Sequence, residues 1–362
     1  MVGTMASLPS FIRPTRMTKR SAHLVPGRSV AGDEAVLDAP DDRLSPALVA
    51  AGRGDHEAAA CLLAATRAAA AWENHDRYVR RLAAFARSRP EWFEAWRTTA
   101  PQDPGALLVG AQLAVDRVWP SPARAELLRE VSPLITAAAR ADDRDPVPWR
   151  IALDHARGSR AGHRYFEELW AAAVRRAPHH YGCHVAALRY LADACCVLWG
   201  DTPHTPRASH RECLDFADRA AQDAPADSLV QALPARAALG FLTDGCGPEV
   251  PRARLDAAAD RALALSARFP VADPWPAEIR NKLLYVLLRL DRWEDARAQL
   301  RLIGPYATSF PWDRFSDDPL GHFLQLREHL LTAGPGPVPA GLLTRSPALL
   351  GGHGGHARAE DH

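Results

Sequence analysis

Side chains that can do chemistry gather at two places in this chain. His179, His180, Cys183 and His184 follow Pro178, and His204, His210 and Cys213 stand a little further on. His180 and His184 are spaced i, i+4, as two metal ligands on one helical face must be. A metal site needs three or four converging ligands, and spacing shows only two. The plainer reading is a helix start with its histidines in the first turn. Asp142, Asp143 and Asp145 form the second group, just before Pro146. Carboxylates sharing a helix face could hold Mg²⁺ for diphosphate chemistry. Here they stand in a turn before a proline, where aspartate caps a helix and suits its dipole.

Other catalytic signatures are missing from the sequence. Gly158-Ser159-Arg160-Ala161-Gly162 places its serine one residue early for a nucleophile elbow. The sequence contains no phosphate-binding glycine loop, dinucleotide fingerprint or His-Glu-x-x-His pair. A non-catalytic protein without metal or cofactor is therefore expected. The alternative is an all-α metal- or diphosphate-dependent enzyme using Asp142, Asp143 and Asp145, or His180 and His184.

The elements that would carry these residues are helices. Phe166, Leu169, Trp170 and Val174 fall on one helical face between His163 and Ala177. Ile279, Leu283, Val286, Leu287 and Leu290 make another apolar stripe. An apolar helix is predicted over 184–198 and an amphipathic one over 209–224, joined by a loop from Trp199 to Pro206. Pro133 should kink or split the helix opened by Ser121 and Pro122. Alternation of apolar and polar residues never persists, so no strand is predicted. The tryptophans suit a core, with Trp199 and Trp312, which sit beside glycine or proline, as exceptions. Residues 1–50 are expected to be a largely disordered extension, 51–332 the helical domain, and 333–362 a disordered Gly/Pro/His tail.

Composition narrows the function. The chain has 362 residues, 47% of them hydrophobic, enough for a large core. Its 44 basic and 43 acidic residues leave a net charge of +1. That balance argues against a dedicated nucleic-acid or membrane-surface protein. Only Lys19 and Lys282 are lysines, and the heavy use of Ala, Arg, Pro and Asp points to a GC-rich genome. Six cysteines without a Cys-x-x-Cys pair suggest a reducing, cytoplasmic setting.

Boundary residues recur at Pro101, Asp142, Pro178, Pro225 and Pro270, with gaps of 41, 36, 47 and 45 residues and about two helices in each. Such periods mark α-solenoids, in which hairpins stack because one alone cannot bury its apolar faces. Leu287-Leu288-Arg289-Leu290-Asp291-Arg292-Trp293-Glu294-Asp295-Ala296, followed by Leu300, resembles the middle of a tetratricopeptide repeat. Residues 177–229 resemble an uncharacterised bacterial family of tetratricopeptide-like proteins. Where that family has a Trp-x-Gly-Ser turn, this chain reads Leu198-Trp199-Gly200-Asp201 and continues into a proline-rich insertion. The resemblance covers roughly 100–305. It implies antiparallel hairpins stacked as a solenoid, with a protein or peptide partner on the concave face and no known activity. The first helix of each pair should line that face. Tyr181, His184, Arg189 and Tyr190, with Trp199 beyond them, are the expected contacts, since aromatic and arginine side chains dominate interface energetics.

Overall fold

The computed structural model describes residues 35–38, 41–192, 209–244, 250–332 and 338–343. Among the described residues the fold is all-α, with 74% helix and almost no strand. In order the helices are α1 (Leu44–Gly52), α2 (Glu57–Ala68), α3 (Trp72–Ser88), α4 (Glu91–Thr99), α5 (Pro104–Val118) and α6 (Arg124–Ala141). There follow α7 (Val147–Gly158), α8 (His163–Arg176), α9 (Tyr181–Ala192), α10 (His210–Asp223) and α11 (Leu233–Asp244). Last come α12 (Arg252–Ser266), α13 (Ala277–Arg289), α14 (Trp293–Ile303), the single turn α15 (Ser309–Trp312) and α16 (Pro319–Thr332). No helix among the described residues is long and apolar enough to cross a membrane.

Punctuation by Asp, Ser and Pro sets most boundaries. Asp103 caps α5, accepting a hydrogen bond from the Ala106 amide at 3.0 Å, with Pro104 in the first turn. Ser209 and Glu212 form a reciprocal capping box at the start of α10. Three expectations need correction. The first helix begins at Leu44, inside the expected extension, and buries Leu44, Ala47 and Ala51. Pro133 neither ends nor splits α6. It stands on the exposed side, where the Arg129 carbonyl it leaves unbonded meets water. Strand does occur: β1 (Val36–Leu37) pairs in parallel with β2 (Tyr306–Ala307). Two residues are too short to leave an alternating pattern. In the expected tail, Val338 is buried and the Leu342 carbonyl meets His322 Nε2 at 3.0 Å. Trp312, expected in a loop, is fully buried and donates its Nε1 hydrogen to Asn281 Oδ1.

Each helix packs on its sequence neighbour, and the odd-numbered ones also pack on each other. Contacts run α3 to α5, α5 to α7, α7 to α9, α9 to α11 and α11 to α13. This row is held between two apolar clusters that share α9. Tyr181, Val185 and Leu188 belong to the cluster with α10–α16. Cys183, Ala186, Ala187 and Tyr190 belong to the cluster with α1–α8. Both sets follow helical spacing on different faces of one helix. A helix apolar on two faces reads as apolar all round, which is why its sequence has no clear stripe.

The beginning and end of this row are also joined. Besides the strand pair, Ser309 donates from its amide and hydroxyl to the Asp38 carboxylate. Arg77 of α3 lies 3.7 Å over the Trp275 ring and donates to the Trp275 carbonyl at 2.7 Å.

Candidate functional site

Each odd-numbered helix of the row carries polar residues at helical spacing. They are Glu73, Asp76 and Arg80 on α3, Gln112 and Asp116 on α5, and Arg150, Asp154 and Arg157 on α7. Gly182 and Arg189 continue the pattern on α9, Arg236 on α11, and Glu278 and Lys282 on α13. These spacings of four or seven put each set on one face.

The best-connected part surrounds Asp76. Its Oδ1 accepts from Arg150 Nε at 2.9 Å, and Arg150 Nη2 lies 2.7 Å away. Arg80 Nη2 approaches Oδ2 at 3.2 Å. Arg150 also donates to Gln112 Oε1, and Gln112 in turn donates to Asp116 Oδ1 at 2.8 Å. Burial pushes the Asp76 carboxyl up, but the charges of Arg150, Arg80 and His180 outweigh it and hold the group well below the usual carboxylate range. Gly182 faces this carboxylate. A Cβ there would sit 2.3 Å from Asp76 Oδ2, so α9 can approach α3 only with glycine at this position.

His180 sits where α9 begins. Its Nδ1 accepts from the Cys183 amide at 3.3 Å and lies 3.1 Å from Cys183 Sγ. Its Nε2 faces Glu73 Oε2 at 3.9 Å, while Glu73 Oε1 accepts from the Tyr181 amide at 2.6 Å. Cysteine, histidine and carboxylate in this order have the outline of a nucleophile with its base. The thiol argues otherwise: Cys183 is buried, Sγ lies near the Pro146 carbonyl, and burial pushes its pKa well up. The trio closes the start of α9 against α3.

His184 is buried on the opposite face. Its Nδ1–H donates to the His180 carbonyl at 3.0 Å, and its ring stands edge-on to Trp170 at 4.9 Å. Burial lowers its pKa to about 4. Both folded and unfolded states hold the ring neutral above pH 6.5. Below that the unfolded chain takes the proton first, so stability falls as pH drops from 6.5 towards 4. In urea denaturation, His184→Leu should lose about 2–3 kcal/mol less than the wild type between pH 7 and 4.5. Equal losses would mean that His184 is not the titrating group.

The remaining expected contacts separate. Tyr190 is fully buried, stacked on Phe166 at 4.0 Å, with its hydroxyl donating to the Ala161 carbonyl. Tyr181 is buried in the second cluster. Tyr181, His184 and Tyr190 are thus core side chains, a correction to their expected exposure to a partner. Of these residues Arg189 alone lies on the polar stripe of the odd-numbered helices, and Trp199 lies outside the described residues. The aspartates also part company. Asp145 Oδ1 accepts from the Val147 amide, and its Oδ2 meets His75 Nε2 at 3.2 Å in the core. Asp142 Oδ1 accepts from the Arg144 amide, while Arg176 bonds the Asp143 carbonyl. Among the described residues no three His, Cys, Asp or Glu side chains are grouped to hold a metal.

The stripe residues Asp76, Arg80, Arg150, Arg236 and Lys282 were not singled out from sequence. The available signal was the recurrence of charges at i, i+4 and i+7 on otherwise apolar helices. Lys282 stands out further as one of two lysines. It is buried against Glu278, and burial followed by the charge of Arg236 lowers its pKa to about 7. Comparison with family models, curated proteins and solved structures finds no match to this chain.

Proposed function

We propose that the protein is a non-catalytic binding scaffold, a tetratricopeptide-like stack of helical hairpins whose inner face holds a protein partner. The observation that carries this reading is the row of polar stripes on the odd-numbered helices. Polar faces between packed helices normally satisfy one another, as those around Asp76 do. Among the described residues Arg189 and Arg236 have neither a hydrogen bond nor an ion pair. Cations left unpaired on a recessed face are suited to receive acidic groups from outside. The enzyme alternative, built on Asp142, Asp143 and Asp145 or on His180 and His184, has less support, because Asp142, Asp145 and His184 are engaged by their own chain.

The test is partner capture from a lysate of the source organism, using the full chain as bait. Arg189→Glu with Arg236→Glu should abolish capture of whatever the wild type retains. Arg164→Glu, on the exposed side of α8, should leave it unchanged. Capture that survives the inner-face reversal but is lost on the outer face would overturn the reading.

A further inference from the structure

Beside α9 and α11 lies a cleft of about 110 Å³, lined by Leu188, Arg189, Arg236, Phe310 and Arg314 among others. Three cations crowd one ring in it. Arg236, Lys282 and Arg314 lie 5.4, 5.5 and 5.9 Å from the Phe310 centroid. The ring face attracts each of them weakly, and they repel one another. Among the described residues the neighbouring carboxylates are already committed. Glu278 bonds Lys282, Asp154 lies 3.5 Å from Arg150 and 4.0 Å from Arg157, and Asp76 is held by Arg150 and Arg80. Arg314 donates to Thr243 Oγ1. Among the described residues Arg189 and Arg236 are left with no acceptor.

We propose that this cleft is an anion site in which Arg189 and Arg236 together hold one carboxylate or phosphate group beside the Phe310 ring. Planar guanidinium forks match the oxygens of either group. The volume suits a single acidic group rather than a length of chain, a water molecule filling about 30 Å³ of liquid. Burial and then the charge of Arg236 lower the Arg189 guanidinium to about 10, the environment of a cation whose counter-ion is missing. The proposal rests on the scaffold reading only where a protein carries the acidic group, since a free anion would serve equally.

The experiment is calorimetric titration of the full chain at constant ionic strength, with inorganic phosphate in one arm and a glutamate-rich peptide in the other. Saturable binding in either arm is expected, at least ten-fold weaker in Arg189→Gln with Arg236→Gln. Phosphate as the tighter ligand would identify a free anion, and a tighter peptide a partner-borne carboxylate. A failed partner capture with intact phosphate binding would sink the scaffold reading and leave the anion site standing. Absence of binding in both arms, or unchanged binding in the double variant, overturns the site. The variant's own melting temperature is a second readout. Removing cations that repel each other should leave the ligand-free protein at least as stable as wild type. A drop of several degrees would show that the arginines are structural instead, and would also overturn the proposal.

Discussion

Replacing Asp76 by alanine is expected to cost about 3–5 kcal/mol, the range for removing one partner of a buried ion pair. The carboxylate is 1% exposed and faces Arg150, which is 3% exposed, from another helix. Without it, Arg150 keeps a buried charge with only Gln112 and Asp154 near its Nη1. The urea midpoint should fall sharply with little change in slope. Asp76→Asn should recover only part of the loss, since it restores shape without charge. The pH dependence has a defined sign. A carboxyl whose folded pKa is depressed contributes stability above its unfolded value near 4, and that stability is lost as pH falls towards the folded value. The pair should therefore hold through mild acid, where protonation of His184 already weakens the fold. If Asp76→Ala melts like the wild type, the network is not what joins α3 to α7.

Arg280→Ala should be comparably destabilising, by about 3–5 kcal/mol, through a different mechanism. Arg280 has no solvent exposure and touches no carboxylate. Its Nη2 donates to the Ser266 and Phe269 carbonyls, its Nη1 to the Leu302 carbonyl at 2.8 Å, and its Nε to Ser266 Oγ. One guanidinium thus bonds the ends of α12 and α14 from the first turn of α13. Removing it leaves the Phe269 carbonyl without a donor among the described residues, at a cost of about 1–3 kcal/mol unless water enters, and takes one of two donors from the Ser266 and Leu302 carbonyls, which keep the Phe269 and Ala272 amides. Arg280→Lys should recover little, because an ammonium cannot spread its donors across the same span. Hydrogen exchange should rise first across 266–303. Protection unchanged there would mean that the carbonyls find other donors.

How much of this was legible follows from local chemistry. The start of α10 was readable because Ser209 and Glu212 state a cap in sequence. The helix starting after Pro178 was readable for the same kind of reason. What could not be read was which polar face meets water and which meets another polar face. Arg189 and Tyr190 are neighbours in sequence, about 100° apart around the helix. One lies on the polar stripe and the other is stacked on Phe166. Only tertiary packing separates them. Pro133 was expected to kink or split its helix, and α6 runs through it unsplit, with Pro133 on the exposed side.

The join between the two ends has a kinetic meaning. Asp38 and Ser309 are 271 residues apart in sequence. Closing so long a loop in an unfolded chain costs roughly 5 kcal/mol in entropy, from (3/2)RT ln n. A two-residue strand pair and one carboxylate cannot meet that cost at the outset. Once the intervening helices have packed, the ends are already close and the cost largely disappears. On this entropy argument the clasp is expected to form after the intervening helices have packed, although it raises contact order. It also changes how the molecule comes apart. Stacked hairpins with free ends fray inward from units that have one neighbour, whereas here residues 36–38 and α3 are tied to 306–309 and Trp275, so an opening that parts these segments must break the clasp.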